Sequence, residues 1–179
     1  MAQITTLAQK SYPSYYKNMY LGTTNTSQKK NKSLFQTKTT KTQNHIVLGI
    51  GGNMPSTPHT FEKLFNTLKK HPRIFALHSS PIIKNPAFGY INQADFFNAV
   101  ICVQTNLCLL EIYALIFYLE RRFGRERKRV FKNAPRILDI DIILFNKLIL
   151  KREYLTIPHI HWEERLSVCI PLSLLESKH

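Results

Sequence analysis

Residues 45–68 read HIVLGIGGNMPSTPHTFEKLFNTL, a stretch that decides the fold because it contains a strand, a turn and a helix. The apolar run over 45–50 is typical of a buried strand, and Gly51-Gly52-Asn53 closes it. Ser56 or Thr57 can then cap a helix. Its apolar residues recur at the spacing of one helix face, and these are Phe61, Leu64, Phe65 and Leu68.

Two more strands are predicted after this β-α unit, over 74–80 and 96–105. Pro72 ends the first helix, because a proline cannot continue the backbone hydrogen bonds of a helix interior. Between the two strands, 81–92 is predicted to be a loop that carries proline and glycine.

A second helix is predicted over 106–123, with Asn106 as its N-cap, and a strand over 137–145 follows. We expect a hairpin-like return through 146–150 and one more short helix from Pro171. The order β-α-β-β-α-β predicts an α+β fold of the ferredoxin-like, split βαβ type. This is an antiparallel sheet with helices packed on it, here with extra short elements at the C-terminus.

Composition separates the chain into two parts. Residues 1–44 contain seven lysines and no Asp, Glu or Arg, and they are rich in Thr, Ser, Asn and Gln. We expect a disordered basic arm there and one domain over 45–179, because so polar a segment buries too little apolar surface to order itself. A transit peptide, or a segment that precedes an internal start such as Met19, remains an alternative for 1–44.

Several classes of protein are excluded by composition. The longest apolar stretch, 107–119, is too short to span a bilayer and contains Glu111. The N-terminus lacks the apolar core of a secretory signal. Three cysteines without a CxxC pair indicate neither a disulfide scaffold nor a structural zinc site. We therefore expect a soluble cytoplasmic protein, with an anionic partner because its formal charge is +14.

Two carboxylates stand on the predicted strand PRILDIDIILF over 135–145. Because alternate strand residues share a face, Asp139 and Asp141 point the same way, about 7 Å apart along the backbone. Mg²⁺ favours one or two carboxylates together with substrate phosphates, so the pair predicts a magnesium–phosphate site. The alternative is a solvated strand face.

A dense basic run precedes this strand and consists of Arg121, Arg122, Arg125, Arg127, Lys128, Arg129, Lys132 and Arg136. Arginine binds phosphate oxygens in pairs, so arginines beside a magnesium site suit transfer of a phosphoryl-type group. A solvated loop and a nucleic-acid patch are the alternatives. The chain has no GxxxxGK[ST] motif, and 49–54 does not complete GxGxxG.

These motifs resemble the 6-hydroxymethyl-7,8-dihydropterin pyrophosphokinase family. The likeness rests on 135–145, on Leu155-Thr156-Ile157-Pro158-His159 and Arg165, and on DFFNA over 95–99. It covers about residues 45–175 and implies transfer of pyrophosphate from ATP to a pterin hydroxymethyl group, with release of AMP, in folate biosynthesis. A basic RNA-binding module of ferredoxin-like fold, without catalytic activity, is the alternative.

The resemblance implies a role for each matching residue. It implies two Mg²⁺ ions on Asp139 and Asp141, and neutralisation of the transferred group by Arg125 and Arg136. It implies ATP contacts from Glu120, Arg127, Ile142, Leu155, Thr156, His159 and Arg165. Pterin contacts are implied for Asn85, Pro86, Phe88, Phe96 and Asn98. We expect a monomer that binds no membrane and no nucleic acid.

Two positions depart from the family pattern. Asn133 stands where the family often has Trp, and Ser167 stands where it often has Phe. Loss of an aromatic wall around the pterin puts the affinity for that substrate in question, while the reaction class depends on the carboxylate pair.

Overall fold

The computed structural model describes residues 43–86, 94–124 and 135–176. The predicted disordered basic arm, apart from residues 43 and 44, lies outside this part and stays a prediction. The elements are β1 (Asn44–Gly52), α1 (Thr57–Lys69), β2 (Ile74–Ser79), β3 (Ile83–Asn85), β4 (Phe96–Thr105), α2 (Leu109–Arg122), β5 (Asp139–Phe145), β6 (Leu150–Arg152), β7 (Leu155–Ile157) and α3 (Leu166–Glu176), with a 3₁₀ turn at Trp162–Glu164.

The main sheet has the strand order β2-β4-β1-β5, and every neighbouring pair in it is antiparallel. The short β3 adds to β4 beside β2. With one helix after β1 and another after β4, this confirms the predicted ferredoxin-like α+β fold. No helix in the described ranges is long and apolar enough to cross a membrane.

The two faces of the sheet are covered differently. Because strand residues alternate, Ile46, Leu48 and Ile50 of β1 pack with apolar residues of α1 and α2 in the larger core cluster. On the opposite face, Val168 and Leu172 of α3 close a smaller cluster. Helix α3 covers only part of that face and leaves the end of β1 near Gly51 to form a site.

Three predicted elements differ from the structure. β3 lies within the predicted loop, where three residues suffice to pair with β4. The prediction that 146–150 returns along β5 as a hairpin is wrong. β6 pairs with β7 instead, in a separate two-stranded sheet. Helix α3 begins at Leu166, five residues before Pro171, and the proline lies inside the helix.

The N-terminus of α2 also differs, since Cys108 is the N-cap in place of Asn106. Asn106 is instead used by Arg73, which donates from Nε to its side-chain oxygen at 2.8 Å and from Nη2 to its backbone carbonyl at 2.9 Å. Glu111 of the first helical turn accepts the Cys108 N–H at 2.8 Å and forms an ion pair with Arg73. These four residues form what we call the far cluster, at the end of the sheet opposite Gly51.

Candidate active site

A cavity of about 100 Å³ opens on the α3 face of the sheet, where β1, β4 and β5 meet the start of α3. It is lined by residues that are distant in sequence, namely Gly49, Ile50, Gly51, Phe96, Asn98, Arg136, Asp139, Asp141, Arg165, Ser167 and Val168. The cavity therefore combines two carboxylates, two arginines, an amide and one aromatic ring.

Strand pairing places each of the two carboxylates opposite a glycine of β1, which has no side chain. Asp141 lies opposite Gly49 and Asp139 opposite Gly51 in the antiparallel register of β1 and β5. A methyl group at Gly51 would lie 3.2 Å from the Asn98 side-chain oxygen, so the glycine gives this amide its room. The side chains of Asp139 and Asp141 keep 24% and 33% of their surface exposed, which leaves them accessible to a ligand.

Arg136 is held by the end of β1. Its backbone N–H donates to the side-chain oxygen of the buried Asn53 at 2.8 Å, and the Asn53 N–H donates to the Arg136 carbonyl at 3.0 Å. Gly52 must lack a side chain here, because a Cβ would lie 2.4 Å from the carbonyl oxygen of Ile137. The Arg136 guanidinium then forms an ion pair with Asp139.

Arg165 reaches Asp141 from a segment that is tied to β5. The His159 N–H donates to the Ile143 carbonyl at 2.9 Å, and the following 3₁₀ turn ends where the Arg165 N–H donates to Trp162. Arg165 donates from Nη1 to Asp141 Oδ2 at 3.1 Å.

His159 borders the same carboxylate. Its Nε2 lies 3.9 Å from Asp141 Oδ2, whereas its Nδ1 lies 2.9 Å from the carbonyl oxygen of Ile160. A carbonyl only accepts hydrogen bonds, so Nδ1 carries a hydrogen there. The contact of 3.4 Å between this nitrogen and Arg165 Nη1 is then a packing contact, because both atoms are donors.

Two buried donors near the cavity have no acceptor within the described residues. They are Nε of Arg136 and Nδ2 of Asn85, whose strand position pairs with Phe96. Buried polar groups are almost always hydrogen-bonded, so such atoms point to a partner outside the described residues, such as a ligand. An anion beside Arg136 and a ligand acceptor beside Asn85 would satisfy them.

The structure brings together most of the residues predicted for the site. Six of them line the cavity: Phe96, Asn98, Arg136, Asp139, Asp141 and Arg165. His159 and Asn85 adjoin it, Pro86 follows β3, and Leu155 and Thr156 are half-buried on β7. Arg125, Arg127 and Phe88 lie outside the described residues, as does Asn133.

Two residues predicted to contact ATP are buried, and their contacts with ATP stay predictions. Glu120 is only 2% exposed and its side chain accepts the Ile140 N–H at 2.9 Å, and Ile142 is 4% exposed in the larger core cluster. Both residues are therefore buried within the described part of the chain. Glu120 instead holds the strand residue that stands between the two aspartates.

Sequence reasoning missed Gly49 and Gly51 as site residues. Their signal was present, because two glycines two residues apart in an apolar strand remove the side chains from one face only. Ser167 was identified only as a departure from a family pattern, and the structure places it in the cavity wall.

The described residues contain no group of three or more His, Cys, Asp or Glu side chains that could hold a metal by themselves. Two carboxylates with a shared open side do not suit zinc, which needs three or four protein ligands. They suit Mg²⁺, whose remaining ligands are commonly water and substrate phosphates. The donor set therefore fits a magnesium–phosphate complex.

Comparisons with known proteins agree with this chemistry. A family model described as 7,8-dihydro-6-hydroxymethylpterin-pyrophosphokinase matches residues 47–177. A 2-amino-4-hydroxy-6-hydroxymethyldihydropteridine pyrophosphokinase of Helicobacter pylori is 50% identical over 131 residues, which are 73% of this chain and 80% of the relative. Proteins of the same name from Campylobacter jejuni and Bacillus subtilis are 37% and 30% identical over 129 and 130 residues, which are 72% and 73% of this chain and 81% and 77% of those relatives.

Proposed function

The chain belongs to the 7,8-dihydro-6-hydroxymethylpterin pyrophosphokinase family, and we propose that the cavity beside Asp139 and Asp141 is where its reaction takes place. The chain is an ATP-dependent diphosphotransferase of folate biosynthesis. In the reaction, the pterin hydroxymethyl oxygen bonds to the β-phosphorus of ATP. The bond between that phosphorus and the α-phosphate oxygen breaks, AMP leaves, and the hydroxyl loses its proton.

One observation carries the assignment of the site. The carboxylate pair, the two arginines and the Asn98 amide converge on one cavity although they come from β4, β5, α3 and the segments that precede them. Phosphoryl-type transfer depends chiefly on positioning and on neutralising charge, and this set of groups can do both.

We propose that Asp139 and Asp141 would hold two magnesium ions beside the phosphates of ATP. When bound, magnesium would neutralise phosphate charge and polarise the phosphorus that is attacked. Arg136 and Arg165 would bind phosphate oxygens, supported by the unpartnered Nε of Arg136. His159 would contact the triphosphate, and Leu155 and Thr156 would border the adenine, while Arg125 and Arg127 are assigned by resemblance alone.

The pterin is assigned to the other end of the cavity. Asn98 offers both donors and an acceptor to the amide-like edge of the pterin, and the Phe96 ring offers it an apolar face. The unpartnered Asn85 Nδ2 would donate to the same ligand. Pro86 and Phe88 stay predictions by resemblance.

The test is the release of AMP from ATP with Mg²⁺, with and without 6-hydroxymethyl-7,8-dihydropterin. AMP that depends on the pterin is the expected product. ADP, or release of phosphate without any pterin product, would contradict the proposal.

The RNA-binding alternative has no support, because the family match is to a pyrophosphokinase and two carboxylates line the cavity, where they would repel a phosphate backbone. We also propose that the protein is a cytoplasmic monomer. Light scattering that gives a dimer mass at micromolar concentration would contradict the monomer.

A further inference from the structure

Each carboxylate of the proposed magnesium site already binds an arginine. Asp139 forms an ion pair with Arg136, and Asp141 Oδ2 accepts from Arg165 Nη1 at 3.1 Å. Both contacts are made to Oδ2, so a divalent cation that binds either carboxylate would lie a few ångströms from a guanidinium. Arginine and metal therefore compete for the carboxylates, because two positive groups at that distance repel each other.

We propose that Arg136 and Arg165 keep the free divalent cation out of the site and yield the carboxylates only when a triphosphate offers them a replacement anion. The inference rests on the proposed function. These two arginines would make the site bind the metal–nucleotide complex in preference to the metal alone. When ATP binds, each arginine would exchange its aspartate for a phosphate group.

Charge at the site favours this exclusion. The two arginines formally balance the two aspartates, so a dication that approaches the described side chains meets no net negative charge from these four groups. Free metal would also find only two carboxylates, since the described residues provide no third acidic or histidine ligand in a suitable group. A bound triphosphate changes both conditions, because it brings oxygen ligands and negative charge with it.

The Arg165 side chain can move from Asp141 to a phosphate group. Its side chain is 39% exposed, and among the described residues Asp141 is the one carboxylate to which it donates. Its backbone is fixed separately, through the Trp162 carbonyl before it and the Val168 N–H after it. The guanidinium can therefore swing from carboxylate to phosphate without disturbing the start of α3.

Arg136 has one N–H donor, Nε, that is available to a ligand. Its Nη1 is used by Asp139, while its buried Nε has no acceptor within the described residues. A guanidinium binds phosphate best through two N–H groups at once, so a phosphate that takes Nε and the adjacent Nη2 competes with Asp139 for the positive charge of the same guanidinium. Backbone hydrogen bonds with Asn53 keep the residue in place during this exchange.

The direct test is binding of Mn²⁺ alone, measured by the loss of its free electron paramagnetic resonance signal on titration with the full chain. Mn²⁺ shares the oxygen ligands of Mg²⁺. In Arg165→Gln the positive competitor is gone, so Mn²⁺ binds more tightly, by about tenfold for one charge a few ångströms away. Arg165→Lys retains the charge and stays near the wild-type affinity.

Two controls isolate the effect. Lys147→Gln removes one exposed positive charge beyond the opposite end of β5 and should leave Mn²⁺ affinity unchanged. The double variant Asp141→Asn with Arg165→Gln should not show the increase in Mn²⁺ affinity, because that increase depends on the Asp141 carboxylate. If Arg165→Gln loses its cooperative melting transition, Arg136→Gln tests the same prediction at Asp139.

The second readout moves in the opposite direction. Binding of ATP with Mn²⁺ should weaken about tenfold in Arg165→Gln, because the triphosphate loses a cationic partner. Tighter free Mn²⁺ with weaker metal–ATP supports exchange. Unchanged or weaker free Mn²⁺ in a folded variant overturns it, even if wild-type protein forms AMP. Absence of pterin-dependent AMP from the wild type would instead count against the proposed function, since the metal titration contains no substrate.

Discussion

The far cluster and the carboxylates of the cavity are both built from arginine and acid, at opposite ends of one sheet, yet they differ in how fully they are bonded. In the far cluster, Arg73 uses Nε, Nη1 and Nη2 on Asn106 and Glu111, and Glu111 also accepts the Cys108 N–H. In the cavity, Nε of Arg136 has no acceptor among the described residues, and Arg165 makes one hydrogen bond to Asp141.

The difference distinguishes an ion pair that holds the fold from one that is ready to bind a ligand. In the far cluster the hydrogen bonds join the start of β2 to the start of α2, so the partners are fixed. In the cavity, the Nε donor of Arg136 has no acceptor among the described residues, and both carboxylates are partly exposed. We therefore expect substitutions in the two regions to affect different properties.

The largest effect is expected for Asp141→Asn. It keeps the shape of the side chain and removes the charge, so pterin-dependent AMP formation should fall on the order of a thousandfold. The melting temperature should change little, because the pair with Arg165 is partly exposed. Steady-state AMP assays and thermal melts would measure both, and near-normal turnover would refute the metal assignment.

Arg73→Gln should have the reverse effect. It breaks the hydrogen bonds that join β2 to α2, so the melting temperature should fall measurably while kcat/KM stays within about twofold of wild type. A strong loss of activity at a temperature where the variant is folded would contradict the separation of the two regions.

Acid stability sharpens the same comparison. The hydrogen bond from Arg73, helped by the Cys108 N–H, lowers the pKa of Glu111 from its ordinary 4.5 to about 2. The folded protein therefore keeps this carboxylate ionised where the unfolded chain protonates it. Its contribution to stability is complete above about pH 4.5 and is lost as the pH falls toward 2.

The measurement is chemical denaturation of wild type and Glu111→Gln across this pH range. The stability difference should be constant above pH 5 and should shrink as the pH falls from about 4.5 to 2. A difference that does not depend on pH would show that the charge of Glu111 contributes nothing.

The smallest effect is expected for Ser167→Phe. Ser167 lines the cavity wall, and a ring there could stack on a planar substrate. The KM for the pterin should fall about fivefold, with the KM for ATP unchanged, because an aromatic contact contributes about 1 kcal/mol. Ser167→Ala serves as the control, and a higher pterin KM in Ser167→Phe would mean that the cavity has no room for the ring.

The sequence predicted what depends on local pattern. Strand and helix periodicity identified β1, α1, β4 and β5, and the alternation of β5 placed Asp139 and Asp141 on one face. It did not predict β3, because three residues pair with β4 only through tertiary register. It also did not predict that Glu120 accepts the Ile140 N–H, since no pattern shows that a helical carboxylate is buried against a strand.

The partners of the charged groups could not be predicted either. Arg165 and Asp141 are 24 residues apart, and their contact depends on the tie between His159 and Ile143 and on the 3₁₀ turn that follows. Likewise, nothing in the sequence near Asn106 indicates that Arg73 uses it in place of the helix N-terminus.

The central claim is that this site transfers a pyrophosphate group as a unit. ³¹P nuclear magnetic resonance of a reaction with ATP, Mg²⁺ and 6-hydroxymethyl-7,8-dihydropterin observes each phosphorus atom directly. We predict AMP in equal amount with a two-phosphorus ester on the pterin, from wild type and Arg73→Gln but not from Asp141→Asn. ADP with a pterin monophosphate, or an unchanged spectrum from folded wild-type protein, would contradict the account.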